Sequence, residues 1–365
     1  MRLDIIAGAR PNFMKIAPII EAIKERQTHN STLSYRLVHT GQHYDKAMSG
    51  SFFEELNIPD PDVNLEVGSG TQAEQTAAIM VRYEKLLLES PCDVCIVVGD
   101  VTSTMACSIA AKKLTIKVAH VEGGIRSFDR SMPEEINRMV TDSITDYFFT
   151  TSEVANQNLL TSGVNPNAIH FVGNTMIDTL LKNQSRFRQP SLWNELQLSP
   201  NNYIVLTLHR PSNVDEVGNL KELLEEIASS AHQLPIIFPV HPRTRKTLLQ
   251  SSLSWNNLNC VEPLGYLEFN YLVKNAKAVI TDSGGVTEET TVMGVPCMTL
   301  RTTTERPETV TVGTNELLGI NPKAIAPAME KVFKGEWKKG AIPEKWDGQA
   351  ARRIVKILEG LPLDE

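Results

Sequence analysis

The chain has 365 residues, long for a single hydrophobic core, so two domains are expected. Hydrophobic residues make up 41% and charged residues 22%, the balance of a soluble globular protein, and a net charge of −7 argues against a nucleic-acid-binding surface. No stretch approaches ~18 uninterrupted apolar residues, and the opening MRLDIIAGARP meets Arg10 and Pro11 too early for a signal-peptide core, so a cytoplasmic chain with no membrane span is expected.

The first half alternates short apolar runs with amphipathic stretches. Strands are predicted at 3–7, 35–39, 94–98, 118–121, 147–150 and 169–172, with helices over 15–25, 102–113 and 134–146 among the intervening segments. Continuous apolar strands separated by helices imply a parallel sheet covered on both faces. Residues 183–202, rich in Gln, Ser, Pro and Asn, break this rhythm and read as a linker with one short helix. A second α/β run follows, with strands at 203–208, 235–240, 259–261, 278–281 and 297–300 and helices over 220–232, 267–276, 285–293 and 322–333. A last helix, 348–359, comes after a crossing rich in Trp, Pro and Gly. Ligands of doubly wound sheets bind outside the carboxyl ends of the strands, so reactive residues are sought there.

The five cysteines, Cys92, Cys95, Cys107, Cys260 and Cys297, show no disulfide framework. Cys92-x-x-Cys95 enters an apolar run without a complementary Cys or His pair, which points to buried thiols. Asn30-Ser31-Thr32 and Asn183-Gln184-Ser185 match the glycosylation pattern, but without a secretion signal the matches are read as chance. No metal-binding motif occurs, and no metal is expected.

The first strand ends in Gly8-Ala9-Arg10-Pro11, with Lys15 in the following helix. Arg10 and Lys15 offer charge to a phosphate, although a solvated cationic loop has the same composition. A stronger phosphate signal is Thr281-Asp282-Ser283-Gly284-Gly285, a strand, a small-residue turn and a helix start. Glu288 and Glu289, one turn into that helix, suit ribose hydroxyls rather than phosphate. Arg301 and Arg306 follow the next strand and can clamp a diphosphate, while His209-Arg210 and His241-Pro242-Arg243 follow two others. Acids collect in the first half: Asp100 after Gly99, Glu122 in His120-Val121-Glu122-Gly123-Gly124, and Glu134-Glu135 in Pro133-Glu134-Glu135-Ile136-Asn137-Arg138. Three acidic sites at successive element ends can supply a base and an acid across a sugar ring, as paired carboxylates do in glycosidases. Asp100 alone also suits a helix N-cap.

Gly8-Ala9-Arg10-Pro11, Gly41-Gln42-His43, Gly99-Asp100, Val121 to Arg126, Pro133 to Arg138, Gly173-Asn174-Thr175, His209-Arg210, Asp282 to Glu289 and Thr304-Glu305-Arg306-Pro307 occur in that order. Together they resemble the bacterial non-hydrolysing UDP-N-acetylglucosamine 2-epimerases over essentially the whole chain. The resemblance implies a GT-B fold: two Rossmann-like doubly wound domains with an interdomain active-site cleft. It implies interconversion of UDP-GlcNAc and UDP-ManNAc for polysaccharide precursors, without a dissociable cofactor, by a homodimer whose last helix packs back on the first domain. The first domain would span 1–172 with 348–365 and carry the acid/base residues; the second, 173–347, would bind UDP. Carried over by motif position, Arg10, Lys15, Asp100, Glu122, Glu134, Arg138 and His209 would form the reaction site. Arg10, Arg210, Phe269, Ser283, Gly284, Gly285, Glu289 and Arg306 would hold UDP. Family members regulated by their substrate carry an Arg-Gln-Thr-like segment where this chain reads Gly68-Ser69-Gly70-Thr71-Gln72-Ala73, and His-Arg-Arg-Glu-Asn where it reads His209-Arg210-Pro211-Ser212-Asn213. Gln42, His43 and His241 persist as candidates for a second UDP-GlcNAc site.

The proton on C2 of the sugar has no adjacent carbonyl and is too weakly acidic for simple removal and return. The sequence lacks a dinucleotide fingerprint, which favours expulsion of UDP from C1 to give 2-acetamidoglucal over oxidation by NAD. Stabilising the charge on departing UDP is then the main electrostatic task, and domain closure would keep water from the intermediate. Which of Glu122, Glu134 and Asp100 acts as base and which as acid stays open. Three alternatives share much of this equipment. A hydrolysing epimerase would release ManNAc and UDP, but the His209-Arg210 motif and the 304–307 motif favour the non-hydrolysing branch. A glycosyltransferase of the same fold needs an acceptor groove, often aromatic, and aromatics are only 6% here. A sugar-nucleotide sensor has no use for three acids.

Overall fold

The computed structural model describes residues 1–29, 31–41, 55–240, 244–245, 248 and 255–361. The chain forms two compact units, Met1–Lys182 with Glu344–Glu365, and Asn183–Pro343.

The first unit is built on a seven-stranded parallel sheet. Its strands are β1 (Arg2–Ala7), β2 (Ser34–His39), β3 (Val63–Asn64), β4 (Val94–Val98), β5 (Lys117–Val121), β6 (Tyr147–Thr150) and β7 (Ile169–Phe171), in the order β3-β2-β1-β4-β5-β6-β7. β4 is buried along its whole length, as a strand covered on both faces must be, which explains its unbroken Val-Cys-Ile-Val-Val. The order reverses between β1 and β4, where Ile5 lies opposite Ile96, and this switch point opens a crevice at the strand ends. One face packs Ile6, Val38, Cys95 and Val97 against Ile79, Tyr83 and Leu87 of the helix Gln72–Glu89 and against the Ala/Cys stripe of Thr102–Lys113. Each fully buried large apolar side chain of this kind contributes roughly 1.5–3 kcal/mol.

Gln72–Glu89 adds to the helices expected from periodicity. Its start is a capping box: the Glu74 N–H donates to Thr71 Oγ1 (3.3 Å), and the Thr71 N–H donates to the Glu74 carboxylate (2.8 Å). The helix expected over 15–25 begins earlier, at Arg10, with Pro11 in its first turn where a missing N–H costs nothing. Cys92 and Cys95 are buried, as expected, as is Cys107, and desolvation pushes the Cys92 thiol up to about 12.

The C-terminal segment belongs to this first unit. The Trp346 indole donates to the Thr151 carbonyl (3.0 Å), Arg353 donates to the Val172 carbonyl (2.9 Å), and Ala350–Glu359 packs on Arg10–Gln27. Gly173, at φ +96°, faces the Lys345 carbonyl so closely that a Cβ would lie 2.0 Å from its oxygen. Asp178 holds the start of the last helix by accepting from the Ala350 (3.1 Å) and Ala351 (2.7 Å) N–H groups. Burial outweighs those two bonds and pushes the Asp178 carboxyl up from 3.8 to about 6. Between those values the folded carboxyl keeps a proton that the unfolded one has released, so its contribution to stability falls as pH rises through that window. Asp178→Asn removes this dependence. Urea titrations at about pH 4 and pH 7 should show the wild type losing on the order of 1–3 kcal/mol relative to the variant. An unchanged difference would refute the assignment.

The second unit is a six-stranded parallel sheet, β10-β9-β8-β11-β12-β13. Its strands are β8 (Ile204–Thr207), β9 (Ile236–Pro239), β10 (Leu258–Val261), β11 (Ala278–Thr281), β12 (Cys297–Thr299) and β13 (Asn315–Leu317). The order reverses between β8 and β11, giving this unit its own switch point. The 183–202 segment contains the expected short helix, Leu192–Glu195, but packs into this core: Trp193 meets Tyr203 and Tyr271 edge-on at 5.6 and 5.3 Å between ring centroids. Among the described residues no helix is long and apolar enough to cross a membrane.

Candidate functional site

The carboxyl ends of β1, β4 and β5 carry the first cluster. Asn12, one turn into the first helix, accepts from the Gly8 (3.1 Å) and Ala9 (3.0 Å) N–H groups and donates to the Val98 carbonyl (3.0 Å), tying the β1 loop to the end of β4. Arg10 opens that helix. Lys15, on the next turn, donates to the Glu122 carboxylate at 2.7 Å, and both side chains are buried. Gly99 sits behind the pair at φ +70°, where a Cβ would come within 3.0 Å of the Lys15 Nζ. Glu122 itself has φ +72°, a conformation costing a non-glycine residue about 1–3 kcal/mol, which marks a position held for its side chain rather than for its backbone.

Asp100 does not cap the helix Thr102–Lys113; Val101 stands at its N-cap and makes no side-chain bond. The Asp100 carboxylate pairs instead with Arg138, whose other nitrogen donates to Glu135 at 2.8 Å. The neighbouring glutamates divide their tasks. Glu135 is buried and accepts from the Ser127 (2.9 Å) and Phe128 (3.0 Å) N–H groups and the Ser127 hydroxyl (3.1 Å), so it fixes the 127–128 turn. Glu134 is exposed and lines a cavity of about 180 Å³ together with Ala9, Gln72, Asp100, Thr102 and Asn137. Lys15 with Glu122 and Arg138 with Asp100 are thus two buried or half-buried ion pairs on neighbouring strand ends, with Glu134 beside the second.

Beneath them lies a network that reading the sequence did not assign. His120, fully buried, faces Asp142 with Nδ1 (2.6 Å) and the Gly99 carbonyl with Nε2 (2.8 Å). Both partners are acceptors, so both ring nitrogens must donate. Asp142 also accepts from Arg126 (2.6 Å) and the Gly124 N–H (3.0 Å). Burial works to raise the Asp142 carboxyl, yet His120 and Arg126 together hold it below its ordinary value. The network locks the two loops that carry Asp100 and Glu122.

In the second unit, His209 and Arg210 follow β8, and Asp282 follows β11 on the adjacent strand. The Ser283 N–H donates back to Thr281 Oγ1 (2.9 Å), turning the chain into the helix Gly284–Met293. Ser283, Gly284 and Gly285 are half-buried at its start, where the positive end of the helix favours an anion. Three arginines surround the same strand ends. Arg301 grips Glu305 through two 2.7 Å bonds, Arg210 lies 3.6 Å from that carboxylate, and Arg306 pairs with Glu288. The Arg301–Glu305 and Arg306–Glu288 pairs are buried, so their guanidinium groups are pre-positioned. Glu289 is buried against Tyr266 and Asn270; desolvation pushes it up to about 7, against hydrogen bonds that favour the charged form. Phe269 packs half-buried on the core in the helix Tyr266–Asn275. Gln42, His43 and His241 lie outside the described residues.

Comparison with known proteins adds the chemical context. The family profile described as UDP-N-acetylglucosamine 2-epimerase matches residues 25–359. The UDP-N-acetylglucosamine 2-epimerase of the archaeon Methanocaldococcus jannaschii is 43% identical over 371 residues, covering 98% of this chain and 99% of its own. The UDP-2,3-diacetamido-2,3-dideoxy-D-glucuronate 2-epimerase of Pseudomonas aeruginosa is 39% identical, covering 99% of this chain and 100% of its own. The crystal structure of the M. jannaschii enzyme in complex with UDP-GlcNAc and UDP superposes with a TM-score of 0.88, over 99% of this chain and 100% of that one. The two parallel sheets are therefore those of a GT-B fold. The profile and the relatives extend over nearly all of the sequence, and the chain belongs to the UDP-N-acetylglucosamine 2-epimerase family.

Proposed function

We propose that this chain interconverts UDP-GlcNAc and UDP-ManNAc without hydrolysis. A carboxylate of the first unit takes the C2 proton, the C1–O bond breaks with its electrons leaving on UDP, and a C1=C2 double bond forms. UDP then adds back to C1 while a second acid delivers a proton to the opposite face of C2. Asp100, Glu122 and Glu134 are the proton carriers, with Lys15 and Arg138 as their charged neighbours, and motif position assigns Arg10 to the reaction site and to UDP. The second unit holds UDP through Arg210, Phe269, Ser283, Gly284, Gly285, Glu289 and Arg306, with His209 at the leaving phosphate. Bound phosphate charge is met there by a helix start and fixed guanidinium groups, the preorganised electrostatics that an elimination needs.

The observation that carries the reading is the buried Lys15–Glu122 pair at 2.7 Å beside the Asp100–Arg138 pair: carboxylates held in place by fixed cations, in a family of epimerases. The same reading places the enzyme in the cytoplasm, makes it a homodimer and extends family membership to the bacterial, non-hydrolysing branch. The P. aeruginosa relative introduces a second sugar, a 2,3-diacetamido uronate, with the same inverted centre. Both UDP-sugars should be incubated with the protein in D₂O and followed by NMR. The expected result is UDP-ManNAc carrying deuterium at C2, formed from UDP-GlcNAc. Free ManNAc would replace this reading with hydrolysis, turnover of the uronate alone would move the substrate, and two unchanged sugars would end it.

A further inference from the structure

Asp282 belongs by sequence to the small-residue turn at the end of β11, but its side chain turns away from that role. The carboxylate is fully buried and crosses to the neighbouring strand end, where it accepts from the backbone N–H groups of His209 (3.1 Å) and Arg210 (2.9 Å) and from Asn213 Nδ2 (3.0 Å). Its other oxygen lies 2.7 Å from His209 Nδ1. The His209 side chain is 56% exposed, so the ring is anchored at one nitrogen and open at its far edge. Burial works to raise the Asp282 carboxyl, but His209 and the loop donors hold it below its ordinary value.

We propose that Asp282 is a positioning residue for His209, fixing its tautomer and the direction of its ring. An ionised carboxylate only accepts, so the imidazole donates from Nδ1. In the neutral ring Nε2 is then an acceptor; in the charged ring it is a cationic N–H donor backed by a buried anion. This inference rests on the epimerase reading above: when the C1–O bond breaks, the imidazolium Nε2–H donates to the phosphate oxygen that receives the electron pair. Asn at position 282 reverses the arrangement. Its single carbonyl oxygen is claimed by the loop N–H groups, its amide N–H then faces the ring, and Nδ1 must accept.

The test uses protein labelled with ¹⁵N-histidine, with the His209 signals assigned by their loss in His209→Gln and the ring titrated to its neutral form. The wild type should show the Nδ1–H tautomer, and Asp282→Asn the Nε2–H tautomer. Turnover of Asp282→Asn should fall roughly 10²–10⁴-fold, the scale of losing an orienting carboxylate, while UDP affinity stays at the wild-type value. An Nε2–H tautomer in the wild type, unchanged turnover in the variant, or a parallel loss of UDP affinity would each overturn the proposal. If the variant does not fold, the wild-type tautomer alone decides. A wild type that makes no UDP-ManNAc would defeat the epimerase reading instead, and the tautomer measurement would still report on the dyad.

Discussion

Glu122→Gln is expected to lower turnover by roughly 10²–10⁴-fold, the usual contribution of a positioned acid or base, with UDP affinity intact. Among the three candidate acids Glu122 alone is fully buried, held in a strained backbone conformation and bonded to a buried cation. Asp100, also paired with a cation, is only half-buried, and Glu134 is exposed. Gln keeps the volume and one acceptor for Lys15 but cannot take or return a proton at C2. Exchange of the C2 hydrogen with D₂O should therefore stop along with net epimerisation. Turnover within tenfold of wild type would remove Glu122 from the reaction. Because Glu122 is not among the groups that hold UDP in this reading, a matching fall in UDP affinity would show that the substitution had disturbed more than proton transfer.

Much of this site was legible before the structure, for a specific reason. Apolar runs ending in Gly99-Asp100, Val121-Glu122 and Thr281-Asp282 announce strand ends, and an α/β sheet binds its ligands there. Lys15, Asp100, Glu122 and Arg138 accordingly come together in pairs. What the sequence left open depends on side-chain direction. Glu134 and Glu135 are equally acidic on paper, but they point about 100° apart on a helix, and only one of them can meet the Ser127–Phe128 turn. Arg301 and Arg306 suit a diphosphate clamp, and each is in addition tied to its own glutamate: Arg301 to Glu305 four residues on, and Arg306 to Glu288 on the helix Gly284–Met293, a pairing between elements that spacing does not reveal. The Asp282–His209 contact follows from the register that sets Thr207 beside Thr281, and a parallel register is not written in either strand. His120 was visible only as a histidine before an acid, since its partners Gly99 and Asp142 lie 21 and 22 residues away. The same limit applies to β13, whose three residues are too few to show a period.

Lys15→Met should cost about 3–5 kcal/mol of stability, more than removing the whole pair does. The Lys15 and Glu122 side chains are 8% and 2% exposed, so each has given up nearly all of its hydration and is compensated by the other. Met fills the volume of the Lys stem but leaves an ionised carboxylate in a dry site. Adding Glu122→Gln removes that charge, and the double variant should recover most of the loss although it carries one more substitution. Urea unfolding at constant m checks this directly, because non-additivity is the signature of a direct pair. A double variant no more stable than Lys15→Met alone would mean that the loss comes from packing rather than from the stranded charge. The pH dependence has a definite sign. A lone buried carboxylate takes up a proton as pH falls, so the Lys15→Met deficit should be largest in alkaline solution and shrink toward acid. Activity separates from stability in the same set: the double variant regains its fold but stays inactive, since the group that exchanges the C2 proton is gone.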